Sequence, residues 1–248
     1  MTVRILLFGL AAASAEILGG GLIYLKHTWP QRIQETLLSL GAGFILALVF
    51  LKLIPTSIGA VGESAMLYCL LGFATLHFFE HTIVGHLHFG EETHSDVMVS
   101  KTASFSAFSG LFVHAFFDGF TISVGMQFDF FLGVLIFLAV LLHKFPEGLT
   151  IGSIVMAAGF SRKIVLLSTA GLAGATMLGV CSLFVFQGVG PQVLGAGFAF
   201  SAGVAVYVGA SDLIPEINKS KDRIPPLVVF AGMILFYVSD LLLGRVIR

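Results

Sequence analysis

A series of long, almost uncharged apolar stretches, joined mostly by short connections, constrains this chain more than any other feature. A helix needs about 20 apolar residues to cross the hydrocarbon core of a bilayer, and each stretch is close to that length. The mean hydropathy of +1.00 and the charged fraction of 11% are typical of a membrane protein rather than a soluble domain. We therefore predict an all-α membrane protein with eight transmembrane helices. The predicted spans are Val3–Leu25, Leu37–Ile58, Ser64–Ile83, Phe105–Met126, Phe130–Ala158, Ile164–Phe186, Val193–Ile214 and Leu227–Leu243.

The connections leave no room for a separate soluble domain, so we predict one transmembrane domain over residues 1–248. The first span continues past Glu16 to Leu25, which is long enough to cross a bilayer and argues against a cleaved signal peptide. The formal net charge of −1 provides no basic surface, and we expect no nucleic-acid partner.

The distribution of lysine and arginine predicts the orientation, because these residues are enriched in cytoplasmic loops. Connections after odd-numbered spans carry eight of them, whereas the opposite side carries three. The eight are Lys26, Arg32, Lys101, Arg162, Lys163, Lys219, Lys221 and Arg223, and the three are Arg4, Arg245 and Arg248. This bias predicts that both termini are extracytoplasmic and that the connection before the fourth span is cytoplasmic.

An internal repeat relates the first three spans to the last three. Residues separated by 160 positions agree in Ala42-Gly43 and Ala202-Gly203, in Leu53-Ile54-Pro55 and Leu213-Ile214-Pro215, and in Ala15, Leu18 and Gly19 against Ala175, Leu178 and Gly179. Because the copies start an odd number of spans apart, they cross the membrane in opposite senses. Such inverted repeats recur in secondary transporters. We therefore predict a 3+2+3 arrangement, with helices 1–3 and 6–8 related and the central pair outside the repeat.

The two spans outside the repeat carry matching groups of ionisable residues. The fifth span contains His143-Lys144-Phe145-Pro146-Glu147-Gly148, and the fourth contains His114-Ala115-Phe116-Phe117-Asp118-Gly119, 29 positions earlier. In each group an imidazole and a carboxylate are four positions apart, so they share one face of a helix. Ionisable residues within a membrane are costly and are therefore candidates for function.

Two imidazoles and two carboxylates form a donor set that suits zinc, iron(II), cobalt or manganese. We therefore predict that His114, Asp118, His143 and Glu147 bind one such ion between the two spans. The alternative is that these residues bond to one another and only hold the helices together. Glu16, in the first span, ranks below these four as a site residue.

The two motifs resemble those of the ZIP (ZRT/IRT-like) divalent-metal transporters. The fourth span of that family usually carries a His-Asn-x-x-Glu-Gly-like motif, matched by residues 114–119 with Asp118 in place of Glu. The fifth span carries a His-x-x-Pro-Glu-Gly-like motif, matched by residues 143–148. The eight spans, their arrangement and the outer termini are also similar. The resemblance implies transport of transition-metal ions into the cytoplasm, a homodimer, and movement of the site helices against a scaffold.

Three positions depart from the family pattern. Many members bind a second metal through the Asn after the fourth-span His, the residue after the fifth-span His and a Glu in the sixth span. These positions here hold Ala115, Lys144 and, by our alignment, Gly174. We therefore expect a single-metal site in which the Lys144 ammonium replaces the second cation and keeps the nearby carboxylates ionised. The alternative is that Lys144 extends toward the membrane surface or lines a water-filled half-channel.

Polar residues toward the cytoplasmic side form a predicted exit path. Five of the eight histidines fall between positions 77 and 94, and the resemblance implies a His-rich cytoplasmic loop, here at about residues 86–101. The candidate exit residues are His77, Glu80, His81, His86, His88, His94, Asp212 and Glu216. The repeat also relates Asp212 to Lys52, and a contact between these two is one arrangement it allows. The alternatives are polar helix ends facing headgroups and a solvated loop without a metal role.

We expect a transporter, not an enzyme, that moves divalent metal ions into the cytoplasm through a single-metal site between helices 4 and 5. Zinc is the first expected substrate, with iron(II), cadmium, cobalt and manganese as alternatives, and the expected location is a bacterial inner membrane. The competing interpretation is a polytopic zinc-dependent hydrolase. Against it, the chain has no His-Glu-x-x-His pair and no candidate serine nucleophile beside the cluster. A metal-sensing receptor would need a signalling domain.

Overall fold

A computed structural model of the protein describes residues 2–26, 30–83, 101–220 and 222–247, and every regular element within these ranges is a helix. Each of the eight predicted spans corresponds to a helix, although the predicted fifth and sixth spans run one and two residues past the helical segments. These are α1, Thr2–Lys26; α2, Gln31–Leu48, continued by a π-helical turn over Val49–Leu53 and by Ile54–Val61; α3, Ser64–Phe78, continued by a π-helical turn over Phe79–Ile83; α4, Lys101–Phe128; α5, Phe130–Ala157; α6, Arg162–Val180, followed by a 3₁₀ turn over Cys181–Phe184; α7, Pro191–Tyr207, continued by a π-helical turn over Val208–Leu213 and by Ile214–Asn218; and α8, Ile224–Ile247.

The predicted class of fold is confirmed as all-helical. Within the described ranges, seven helices are long and apolar enough to cross a bilayer, and α3 is shorter but equally apolar along Ser64–Phe78. Several helices extend beyond the predicted spans because their polar ends find partners. At the start of α2, for example, Gln34 donates to Thr150 of α5, and Glu35 accepts a 2.8 Å hydrogen bond from Ser220.

Backbone-to-backbone packing at glycine joins the helices into four close pairs. At each of eight glycines, a Cβ atom would collide with a backbone carbonyl oxygen of the partner helix, so only glycine permits the approach. The pairs are α1 with α5 through Gly19 and Gly148, α4 with α6 through Gly119 and Gly179, α2 with α8 through Gly43 and Gly232, and α3 with α7 through Gly72 and Gly203. The last residue of each sequence motif, Gly119 or Gly148, therefore serves helix packing.

These pairs assemble into two groups of four helices. Helices α1, α4, α5 and α6 form one group, which we call the site bundle, because α1 also packs on α6 and α4 on α5. Helices α2, α3, α7 and α8 form the flanking bundle, in which α2 packs on α7. The two bundles meet where α2 contacts α5 and α4 contacts α7. Helix α5 is the most enclosed of the membrane-crossing helices, and α8 is the least.

The π-helical turns in α2 and α7 each end just before a proline, Pro55 or Pro215. Proline lacks an N–H group and its ring collides with the carbonyl one turn earlier, and the extra residue of a π turn widens the helix at that point. The wide turn in α7 contains Asp212, which is buried. The wide turn in α2 contains Lys52, whose Nζ atom lies 2.9 Å from the Asp240 carboxylate of α8. The Lys52–Asp212 contact allowed by the repeat is therefore replaced by a Lys52–Asp240 pair.

Candidate metal site

Helices α4 and α5 bring the four predicted ligands together. His114 and Asp118 lie one turn apart on α4, and His143 and Glu147 lie one turn apart on α5. One donor atom of each residue lies within 4.8 Å of the donor atoms of the other three. All four side chains are buried. Two nitrogen and two oxygen donors at this spacing are sufficient to surround one tetrahedral ion such as Zn²⁺.

Asp118 is the carboxylate shared by both imidazoles. Its Oδ2 atom lies 3.1 Å from Nε2 of His143 and 3.4 Å from Nε2 of His114. Nδ1 of His143 lies 2.9 Å from the carbonyl oxygen of Ala139, one turn earlier on α5, and this contact fixes the orientation of the ring. Its Nε2 atom therefore faces the Asp118 carboxylate, and an imidazole nitrogen and a carboxylate oxygen directed at one point are two donor atoms that a transition-metal ion can bind.

Glu147 offers a further oxygen. Its Oε2 atom accepts from Lys144, but its Oε1 atom is buried without a hydrogen-bond partner among the described residues. Buried carboxylate oxygens are normally satisfied, because an unpaired one costs desolvation free energy. The unsatisfied oxygen lies in the same cluster as the two imidazoles, where a bound cation would satisfy it.

Lys144 lies at the centre of three carboxylates. Its Nζ atom is 2.6 Å from Glu147, 3.0 Å from Asp118 and 3.5 Å from Glu16, and its side chain is fully buried. The alternative in which Lys144 extends to the membrane surface is therefore wrong. The Lys144 ammonium therefore forms ion pairs with all three carboxylates.

Glu16 ranks below the four predicted ligands by sequence, whereas the structure places its carboxylate beside Lys144. Its side chain is fully buried on α1, where Oε1 contacts Lys144 and Oε2 accepts a 3.4 Å hydrogen bond from Thr176 of α6. Glu16 and Thr176 are separated by 160 positions, so the repeat offset could have drawn attention to this pair. On α6, Gly174 is exposed and has no atom near the position of a Cβ, whereas the Thr176 side chain contacts Glu16.

A second cluster adjoins the first through His114. The Nδ1 atom of His114 lies 3.4 Å from Asp212 of α7 and 3.9 Å from Glu80 at the end of α3, while its Nε2 atom faces Asp118. Glu80, His114 and Asp212 also have donor atoms close enough to surround one ion. His114 thus belongs to both clusters, and it connects the site bundle with the flanking bundle.

Other exit candidates extend from this second cluster. The His81 ring lies 3.1 Å from the hydroxyl of the buried Tyr207 and stacks on His77 with ring centroids 4.3 Å apart. Glu216, one turn beyond Asp212, lies 3.7 Å from Lys219. Tyr207 was not among the sequence candidates, because nothing in its apolar surroundings distinguishes it. His86, His88 and His94 lie outside the described residues.

Comparison with known proteins agrees with these observations. Residues 85–240 match a family model described as "ZIP Zinc transporter". The matched segment contains both His/carboxylate motifs and Asp212, and it covers more than half of the chain. No curated protein matched the chain.

Proposed function

The chain belongs to the ZIP zinc-transporter family, a family of membrane transporters and not of enzymes, and on this premise we propose that it carries one zinc ion at a time into the cytoplasm. The observation that carries the proposal is the buried convergence of His114, Asp118, His143 and Glu147. Iron(II), cadmium, cobalt and manganese prefer similar donors and are the competing substrates. Family membership removes the hydrolase alternative.

A single ion is proposed because Lys144 takes the place of a second one. The ammonium contacts Asp118 and Glu147, which are two of the four proposed ligands. A second divalent ion near this point would be repelled by the ammonium at short range in a medium of low dielectric constant. Oε1 of Glu147, which has no hydrogen-bond partner among the described residues, is proposed to bind the one ion.

The 3+2+3 arrangement with an inverted repeat is supported by the glycine pairs. Adding 160 to Gly43 and to Gly72 gives Gly203 and Gly232, so the α2–α8 contact is repeated as the α7–α3 contact. The α1–α5 contact through Gly19 likewise corresponds to the α6–α4 contact through Gly179. The same offset relates Lys52 to Asp212 and Glu80 to Asp240. With the lysine and arginine bias, this repeat supports extracytoplasmic termini.

Transport is proposed to occur by movement of the site bundle against the flanking bundle. Close glycine packing occurs within each bundle, which favours two rigid bodies. The contacts of His114 with Asp212 and Glu80 cross from one bundle to the other, as does the hydrogen bond from Gln34 to Thr150. Such contacts have to break when the bundles move.

The exit path is proposed to run from the transport site through the second cluster. His114 passes the ion to Asp212 and Glu80, which lie on its far side, and His81 and His77 follow along α3. Glu216 and the loop histidines His86, His88 and His94 then act as weak acceptors in the cytoplasm. A homodimer of this single domain in a bacterial inner membrane completes the proposal.

Zinc uptake into liposomes containing the purified protein tests the proposed function. The parent is compared with the His143→Ala, Glu147→Ala double variant and with Glu63→Ala, which removes an exposed carboxylate outside the site. We expect uptake by the parent and by Glu63→Ala, and none by the double variant. Uptake by the double variant at the parental rate would contradict the assignment of the site.

A further inference from the structure

Glu16 is a buried charge that the proposed ligand set does not use. Within the described residues it is one of three carboxylates that meet at Lys144, yet it lies on α1 rather than on α4 or α5. An ionised carboxylate in a membrane interior is costly unless it is paired, so its presence needs an explanation. A helix-packing role alone would not require a charge.

The position of Glu16 is set by helix packing and by one hydrogen bond. Gly148 lets the α5 backbone approach the carbonyl of Glu16, and Gly19 does the same for the carbonyl of Phe145. Thr176 then donates to Oε2, which leaves Oε1 directed at the Lys144 ammonium. The carboxylate is therefore held beside Lys144 without being directed at the imidazoles.

The charges around Lys144 suit one divalent cation. When all four groups are ionised, the carboxylates of Glu16, Asp118 and Glu147 and the Lys144 ammonium sum to −2. Asp212 and Glu80 lie on the far side of His114 and are counted with the second cluster. We propose that Glu16 is the residue that sets this balance: it neutralises Lys144, so that Asp118 and Glu147 retain two negative charges for the transported ion. The proposal rests on the proposed function, since it takes the four ligands as given.

The balance matters because the cluster is buried. Without the Glu16 charge, the site would hold −1 and would become positive when a divalent ion binds, which is unfavourable at low dielectric constant. Without the Lys144 charge, the site would hold −3 and would attract a second cation. Removing both charges together returns the net charge to −2. Glu16 is thus a positioning residue that tunes charge, and it contacts Lys144 rather than the ion.

Three variants of nearly unchanged size test this balance. We would purify Glu16→Gln, Lys144→Met and the double variant Glu16→Gln, Lys144→Met, and measure zinc affinity by calorimetry and bound zinc by elemental analysis. We expect one zinc in the parent, an affinity lower by about tenfold or more in Glu16→Gln, and a second zinc in Lys144→Met. The double variant should return to one zinc, with an affinity within about threefold of the parent.

Rescue by the double variant separates charge from structure. If Glu16→Gln binds zinc with parental affinity, or if the double variant remains as weak as Glu16→Gln, the proposal is wrong. Thermal melting of each variant identifies unfolding, and loss of folding in the double variant would mean that Glu16 acts as a structural support, which also overturns it. If the His143→Ala, Glu147→Ala double variant binds zinc with parental affinity, the assignment of the transport site itself is wrong.

Discussion

Nε2 of His143 lies 3.1 Å from Oδ2 of Asp118, so an imidazole of α5 and a carboxylate of α4 are directed at one point between the two helices. The other ring nitrogen of His143, Nδ1, lies 2.9 Å from the carbonyl oxygen of Ala139 on α5. The orientation of this imidazole therefore depends on its own helix, whereas its partner comes from the neighbouring one.

Asp118→Asn should weaken zinc binding strongly with little change in the shape of the side chain. The amide keeps the size of the side chain but loses the charge that faces both imidazoles and Lys144. We expect zinc affinity to fall by about a hundredfold or more, since even partners of metal ligands contribute about ten- to a hundredfold. Calorimetry on the purified variant measures this, with Glu63→Gln as the exposed control. Parental affinity in Asp118→Asn would remove Asp118 from the ligand set.

Asp212→Asn should slow release without changing the number of ions at the transport site. Asp212 lies 3.4 Å from Nδ1 of His114, the ring nitrogen that faces away from Asp118. It is the first acceptor on the proposed exit path. We expect zinc uptake into liposomes to fall severalfold while the purified variant still binds one zinc. Glu216→Gln, one turn further along, serves as the matched control and should have a smaller effect. Equal uptake by Asp212→Asn and the parent would argue against this path.

Gly19→Ala should destabilise the protein, whereas Gly21→Ala on the same helix should not. A Cβ at Gly19 would collide with the carbonyl of Phe145, but at Gly21 it would meet no atom within 4 Å. Overpacking of this kind costs about 1–3 kcal/mol, and alanine at an open helical position is favourable by about 0.5–1 kcal/mol. Thermal melting of the purified variants measures the difference. A Gly19→Ala variant as stable as Gly21→Ala would contradict the close α1–α5 contact.

A covalent link between the two bundles should stop transport. Gln34 of α2 donates to Thr150 of α5 across the boundary, so a cysteine pair at these positions can be bridged by a short bifunctional thiol reagent. The control is a Thr2→Cys, Gln187→Cys pair, which replaces a 3.2 Å hydrogen bond between α1 and the segment that follows α6. We expect bridging to abolish zinc uptake only in the first pair. Undiminished uptake after complete bridging of that pair would contradict movement of one bundle against the other.

Acidic conditions should weaken zinc uptake. Imidazoles and carboxylates bind protons and metal ions at the same atoms, so protons compete with zinc at His114, His143, Asp118 and Glu147. Competition increases as the pH falls, and we expect uptake to decrease between about pH 7.5 and about pH 5.5. Initial rates at constant free zinc measure this effect. Constant rates over that interval would require a site that does not release protons on binding.

Much of the architecture follows from local features of the sequence. Eight apolar stretches predict eight helices because a helix satisfies its own backbone groups in lipid, and the structure contains a helix at each stretch. The spacing of His114 and Asp118, and of His143 and Glu147, predicts a shared helix face because it is close to one turn. Both statements depend only on neighbours along the chain.

The partners between helices were decided by the tertiary structure. Glu16 contacts Lys144 because Gly19 and Gly148 let α1 and α5 approach, and no local pattern reports which helices will be neighbours. Lys52 pairs with Asp240 rather than Asp212 for the same reason. The sequence by itself determined the helices and the face on which each ligand lies, since these depend on chain spacing. Only the packing of the two bundles decided which buried charges meet, because those contacts join residues far apart in the chain.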